Sequence, residues 1–163
     1  MIYILSGPIR SGKTTALSRW ASERNDVDGI LSPDSDSGQR YFLEIKSLQH
    51  FDFETKAHSD EDSIRIGRFH FLKSAFNRAN TYLIKTIDRK NSKIVVVDEV
   101  GKLELKGKGL HDSVRQLISH YQVLKDRHLL LVIRAALLDS VLQYYNITPY
   151  KVITKETLSE VLV

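Results

Sequence analysis

The chain has 163 residues, of which 42% are apolar and 27% charged, with a net charge of +4 and no cysteine. The missing cysteines exclude disulfides, thiolate catalysis and Cys-rich zinc sites, and make a reducing cytoplasm the expected compartment. The mild basicity suits an anionic ligand but leaves nucleic acid unsupported, because Lys and Arg are dispersed; no apolar run approaches the roughly 18 residues of a membrane helix.

A chain of this length is expected to form one domain that buries roughly 70% of its unfolded surface. Met1 to Leu5 is apolar but too short for a signal peptide, and Ile2 to Leu5 reads as a buried strand. A glycine-bearing loop follows. Lys13 to Arg24 then reads as a helix, with Leu17, Trp20, Ala21 and Arg24 on one side. Asp28 to Leu31 is a short second strand, and Ser32 to Gly38 an exposed loop rich in turn formers. Tyr41, Leu43 and Ile45 alternate with Phe42, Glu44 and Lys46, and Phe51 and Phe53 with Asp52 and Glu54. This predicts an antiparallel hairpin turning near Ser47 to His50, within an insertion over about 39–70. The acidic run from His58 to Asp62 reads as a solvated loop. A further strand covers Ile64 to Phe69.

Leu72, Ala75, Phe76, Ala79, Leu83 and Ile87 sit at helical spacing, in a helix ending near Arg89-Lys90-Asn91. Ile94 to Val97 is a continuous β-branched run, the pattern of a strand covered on both faces. Leu110 to Tyr121 marks a third helix, His128 to Ile133 another buried strand, and Leu137 to Tyr145 a fourth helix. Tyr150 to Ile153 is a last strand, followed by a short helix capped by Thr154 or Thr157. Strands alternating with helices imply an α/β fold of three layers with a mostly parallel, doubly wound sheet.

Gly7-Pro8-Ile9-Arg10-Ser11-Gly12-Lys13-Thr14 fits GxxxxGK[ST], between an apolar strand and an amphipathic helix. Glycines let successive N–H groups curl around an anion, and the helix N-terminus adds its positive dipole end. Lys13 supplies a point charge to the β- and γ-phosphates, and the Thr14 hydroxyl is a natural Mg²⁺ ligand. Arg10 either touches the γ-phosphate or lies in solvent. Asp98 ends the β-branched strand, where strands of such sheets meet the ligand crevice, so it suits the Mg²⁺ shell. Glu99 beside it can orient and deprotonate a water for attack on the γ-phosphate. Arg134, ending the next strand, is either a surface residue or a guanidinium for charge developing on the γ-phosphoryl oxygens. The six histidines show no metal-ligand spacing.

The stretch Asp98-Glu99-Val100-Gly101-Lys102-Leu103-Glu104 resembles the Asp-Glu-Ile-Gly-x-Met-Glu motif of the thermophile-type, or cancer-related, nucleoside-triphosphatases. The double threonine Thr14-Thr15, the segment Gly67-Arg68-Phe69 and Arg134 fit the same family. The resemblance runs the length of the chain and implies a RecA-like sheet with an inserted hairpin. It also implies Mg²⁺-dependent hydrolysis of several NTPs (ATP and GTP among them) with weak base selectivity. Gly12, Lys13, Thr14, Asp98 and Glu99 would carry the phosphate, metal and water roles, and Glu104 would position a basic residue or cap its turn. Where members carry Thr-x-Glu-Val-Arg, this chain has Ser32-Pro33-Asp34-Ser35-Asp36; Gly38, Arg40 and Phe42 keep part of the following Gly-x-Arg-x-Gly-Phe. The rival readings are a nucleotide or nucleoside kinase, which needs a second pocket under the hairpin or the 58–70 segment, and an NTP-dependent switch. A monomer is the expected state; nothing in the sequence marks an oligomer interface.

Overall fold

Five apolar runs become the parallel strands of the main sheet in this computed structural model, which describes residues 1–56 and 62–162. In chain order the elements are β1 Ile2–Gly7, α1 Lys13–Ser22, β2 Val27–Leu31, β3 Tyr41–Glu44, β4 His50–Asp52, β5 Glu54–Thr55, β6 Ser63–Ile66 and β7 Phe69–Leu72. They continue as α2 Lys73–Lys85, β8 Ile94–Val100, α3 His111–Tyr121, β9 His128–Arg134, α4 Leu138–Tyr145, β10 Tyr150–Ile153 and α5 Leu158–Val161.

The main sheet runs β10-β1-β9-β8-β2-β3-β4. Its pairings from β10 to β2 are parallel, and β3 and β4 extend the edge antiparallel. All five parallel strands therefore end on one side of the sheet. Strand alternation splits the core in two. Ile4, Val95, Val97, Leu129 and Leu131 face α2, α3 and α4, whereas Leu5, Ile94, Val96, Leu130 and Val132 face α1 and α5. The sheet is thus the middle of three layers, as the alternation of elements predicts.

Gly29 is needed for the β2–β8 pairing. At its φ of 120° a Cβ would lie 2.0 Å from the Val96 carbonyl oxygen. In α1, Leu17, Trp20 and Ala21 are buried as expected. Arg24 lies past the helix, over the Trp20 ring and paired with Asp26.

Several expectations need correction. The region 64–69 is not one strand: β6 and β7 form a hairpin through Gly67, whose φ is 58°, and β7 also pairs with β5 in a separate antiparallel sheet. The insertion is therefore two structures, the β3–β4 hairpin on the main sheet and this smaller sheet over it. The second helix stops at Lys85 with a 3₁₀ turn at Thr86–Asp88, before Arg89. Thr157 precedes α5, but its hydroxyl accepts the Thr154 N–H instead of capping the helix. The acidic run from His58 lies, apart from Asp62, outside the described residues.

Candidate active site

The ends of β1, β9 and β8 bring the candidate residues together. Because β9 pairs with both neighbours, Arg134 sits opposite Gly7 on one side, while Ile133 sits opposite Val100 on the other. The phosphate-loop strand and the Asp-Glu strand are thus separated by one strand, and Arg134 ends that strand.

The loop after β1 turns into α1 through two left-handed residues, Arg10 (φ 54°) and Gly12 (φ 82°). Such positions suit glycine, and the strain at Arg10 is the kind that clusters at ligand sites. Lys13 folds back over the loop. Its Nζ donates to the carbonyls of Pro8 (2.5 Å) and Gly7 (3.2 Å) and to Ser11 Oγ (3.3 Å). Burial lowers the Lys13 pKa from its ordinary value, with the Asp98 charge opposing. Pro8, Ile9, Arg10, Gly12 and Thr15 are exposed. A residue the sequence reading passed over, Lys155 after β10, donates from Nζ to the Ser11 carbonyl at 2.7 Å and ties the loop to the far edge of the sheet.

Thr14 Oγ1 donates to Asp98 Oδ2 at 2.8 Å. The Ser32 N–H donates to the same oxygen at 3.0 Å, and the Ser32 hydroxyl to the Asp98 carbonyl at 3.2 Å. Ser32 is buried, which corrects the start of the loop expected to be exposed. Asp98 is 1% exposed, and burial pushes its pKa up to about 6. A buried carboxylate beside a hydroxyl, with no cation bonded to it, is the donor set of a hard divalent ion that takes its remaining ligands from water and phosphate. The residues fit Mg²⁺ in that sense. No group of three or more His, Cys, Asp or Glu side chains among the described residues forms a protein-only metal cage.

A bulge separates the Val97–Leu131 and Val100–Ile133 pairs, so Asp98 and Glu99 together face one partner residue. In a regular strand the two carboxylates would point to opposite faces; here both line one cavity. Glu99 takes the left-handed conformation, with φ 71°. Its carboxylate lies between two guanidinium groups. Arg40 Nη1 donates to Oε2 at 2.9 Å, and Arg134 Nη2 donates to Oε1. Arg40 also holds Glu54 Oε2 through its Nε and its backbone N–H, each at 3.2 Å. Its guanidinium lies 5.3–5.5 Å from the ring centres of Phe53, Phe69 and Phe71. Burial opposes the Arg40 charge, but Glu99 and Glu54 outweigh it and raise its pKa. Sequence reasoning noted Arg40 only as a motif remnant; its contact with Glu99 spans 59 residues and leaves no local signature.

Glu104 is 3% exposed, and its carboxylate accepts the Gly101 N–H (2.8 Å) and the Leu110 N–H (2.9 Å). It caps its own turn, the second of its two expected roles. The cavity beside Glu99, about 270 Å³, is walled by Phe53, Phe69, Phe71, Phe76, Arg40 and Arg134 among others, and by no residue of 7–15.

The NTPase family model matches residues 2–159. Over 118 residues the chain is 30% identical to the nucleoside-triphosphatase THEP1 of Methanopyrus kandleri, a match spanning 69% of this chain and 64% of that relative. The chain thus matches less than two thirds of the relative's length. Among solved structures, THEP1 from the hyperthermophile Aquifex aeolicus superposes with a TM-score of 0.72, over 98% of this chain and 93% of that one, at 17% identity. That likeness concerns the fold. A phosphate loop, an adjoining carboxylate pair and a family match over nearly all residues lead to one assignment: the chain belongs to the NTPase family.

Proposed function

We propose that this chain is a single-domain, Mg²⁺-dependent hydrolase that converts several NTPs to NDP and phosphate with little base selectivity. The observation that carries the reading is the carboxylate of Glu99, held by Arg40 and Arg134 beside the Asp98–Thr14 pair. The β-phosphate is cradled by the N–H groups of the 7–14 loop and the N-terminus of α1. Lys13 exchanges its loop carbonyl partners for β- and γ-phosphate oxygens. Asp98 and Thr14 would hold Mg²⁺, which supplies neutralisation of the phosphate charge. The γ-phosphate draws Arg134 away from Glu99, because three phosphoryl oxygens carry more charge than one carboxylate. Glu99, still held by Arg40, accepts a proton from water as the water oxygen bonds to the γ-phosphorus. The bond from that phosphorus to the β–γ bridging oxygen breaks, and its electron pair leaves with NDP.

A positioned base contributes on the order of 10²–10⁴ in rate. Phosphate release from ATP, GTP, CTP and UTP is the test. Wild type should turn over several of them, Glu99→Gln should bind NTP but slow by about 10²-fold or more, and Lys13→Ala should lose binding. Tight NTP binding with no release above the Glu99→Gln background overturns the reading. The absence of cysteine supports a cytoplasmic setting. No helix among the described residues is long and apolar enough to cross a membrane.

A further inference from the structure

Hydrolysis asks for little space beside Glu99, since a water occupies about 30 Å³ of liquid. The cavity there is about 270 Å³, just under the usual range of about 300–1,000 Å³ for ligand pockets. It is also the wrong kind of space for water. Phe53, Phe69, Phe71 and Phe76 form its wall, with Phe53 and Phe71 stacked at 5.9 Å and Phe69 and Phe71 at 6.2 Å. Among its polar lining groups, Arg40 and Arg134 meet on the Glu99 carboxylate, next to Asp98. No residue of 7–15 lines it, whereas Glu99 and Arg134, the groups proposed above to meet the γ-phosphate and its attacking water, do.

We propose that this pocket holds a second substrate, a nucleoside, and that the chain transfers the γ-phosphoryl group to its hydroxyl. The inference rests on the NTP seat proposed above. The planar base suits this apolar aromatic wall, where the half-buried Phe69 is its most accessible ring. The hydroxyl arm suits those polar groups, among which Glu99 is the acceptor for its proton. The hydroxyl oxygen's lone pair forms the new bond to the γ-phosphorus. The bond to the β–γ bridging oxygen breaks, its electron pair leaves with NDP, and the proton passes to Glu99 and then to solvent. Water attack is the same reaction with the pocket empty. The smaller sheet, β5 to β7, supplies Phe69, Phe71, Ile66 and Gly67 to this wall. The same sheet also holds Arg40, through Glu54 and the rings of Phe69 and Phe71, so one element builds the pocket wall and steadies the group that holds Glu99.

The test uses the full chain in two arms. In the first, γ-³²P-labelled ATP and Mg²⁺ are supplied with each of the four ribonucleosides and four deoxyribonucleosides, and products are separated by thin-layer chromatography. Label in a nucleoside monophosphate, at least tenfold above the enzyme-free control, is expected for at least one. In the second, binding of the same nucleosides is read by saturation-transfer difference NMR on wild type, Lys13→Ala and Ile66→Trp. Binding should persist in Lys13→Ala, whose phosphate seat is disabled, and fall at least fivefold in Ile66→Trp, where an indole fills the pocket; an unchanged unfolding midpoint checks that the latter is folded. Phosphate release with neither nucleoside binding nor label transfer overturns the proposal and leaves the hydrolase standing. Nucleoside binding without transfer, in a preparation that releases phosphate, overturns the acceptor role. Nucleoside binding in a chain that never binds NTP overturns the transfer and the hydrolase reading together, and leaves only a nucleoside pocket.

Discussion

At the residue scale, the site concentrates charge where burial penalises it. Asp98 is fully enclosed, and burial disfavours its charged form by more than the hydrogen bonds from Ser32 and Thr14 favour it. A site built this way trades stability for function. Asp98→Asn should therefore stabilise the nucleotide-free protein at pH 8, on the order of 1–3 kcal/mol, while turnover is lost. Thermal unfolding of both proteins checks this; a lower midpoint would mean that the hydrogen bonds to Asp98 outweigh its burial. Arg40 makes a different prediction. Arg40 and Arg134 both donate to Glu99; on the mechanism proposed above only Arg134 leaves for phosphate, so Arg40→Ala should cost about 10²-fold in kcat through misplacement of the proposed base. KM for NTP should change far less, which separates a positioning role from a binding one.

At the element scale, two backbone features shape the crevice. The bulge in β8 rotates Asp98 and Glu99 onto the same cavity. The β2–β8 pairing brings Ser32, one residue past β2, within reach of Asp98, and Gly29 makes that pairing possible. Gly29→Ala puts a methyl group into the Val96 backbone, which cannot move without breaking the ladder. It should cost about 3 kcal/mol or more, read as a shifted denaturant midpoint, and metal-dependent NTP binding should weaken with it. A neutral result would mean that β2 can slide from β8. The sequence pattern marks β8 as covered on both faces, and the core residues on either side of it bear this out. It does not mark the bulge, because the run Ile94 to Val100 carries no glycine or proline to signal an extra residue.

At the scale of the whole molecule, the face remote from the site carries its own titration. His128 opens β9, packs edge-on against Tyr3, and has a buried Nδ1 with no hydrogen-bond partner among the described residues. Burial lowers its pKa, and the neighbouring N-terminal ammonium lowers it further. The folded protein thus resists a proton that the unfolded chain accepts. Its contribution to stability is complete above about pH 6.5 and is lost as the pH falls below that toward the folded value. Asp98 works in the opposite direction, because its raised pKa adds stability as the pH falls through about 6. The His128 contribution is therefore read as a difference: between pH 7 and pH 5 the unfolding midpoint of nucleotide-free His128→Gln should fall less, or rise more, than that of wild type. An unchanged slope in the variant would move the effect to other groups, His120 first, whose pKa burial also lowers.

The sequence by itself determined the layers and the residues from which the proposed chemistry is argued. Period-2 and period-3.6 patterns record which face of each element is buried, and a phosphate loop needs its glycines, lysine and threonine in one contiguous stretch, so both are written locally. Residues 7–14 and the pair Asp98-Glu99 were legible for that reason. Only the tertiary structure decided what surrounds them. Arg40, Ser32 and Lys155 reach the site across 59, 66 and 144 residues. The aromatic cavity needs β5 to β7 folded back over the sheet edge, a pairing that the single strand expected over 64–69 did not contain. Contacts at such separations are fixed by strand order and register, which depend on how all the elements pack at once and leave no mark on any one segment.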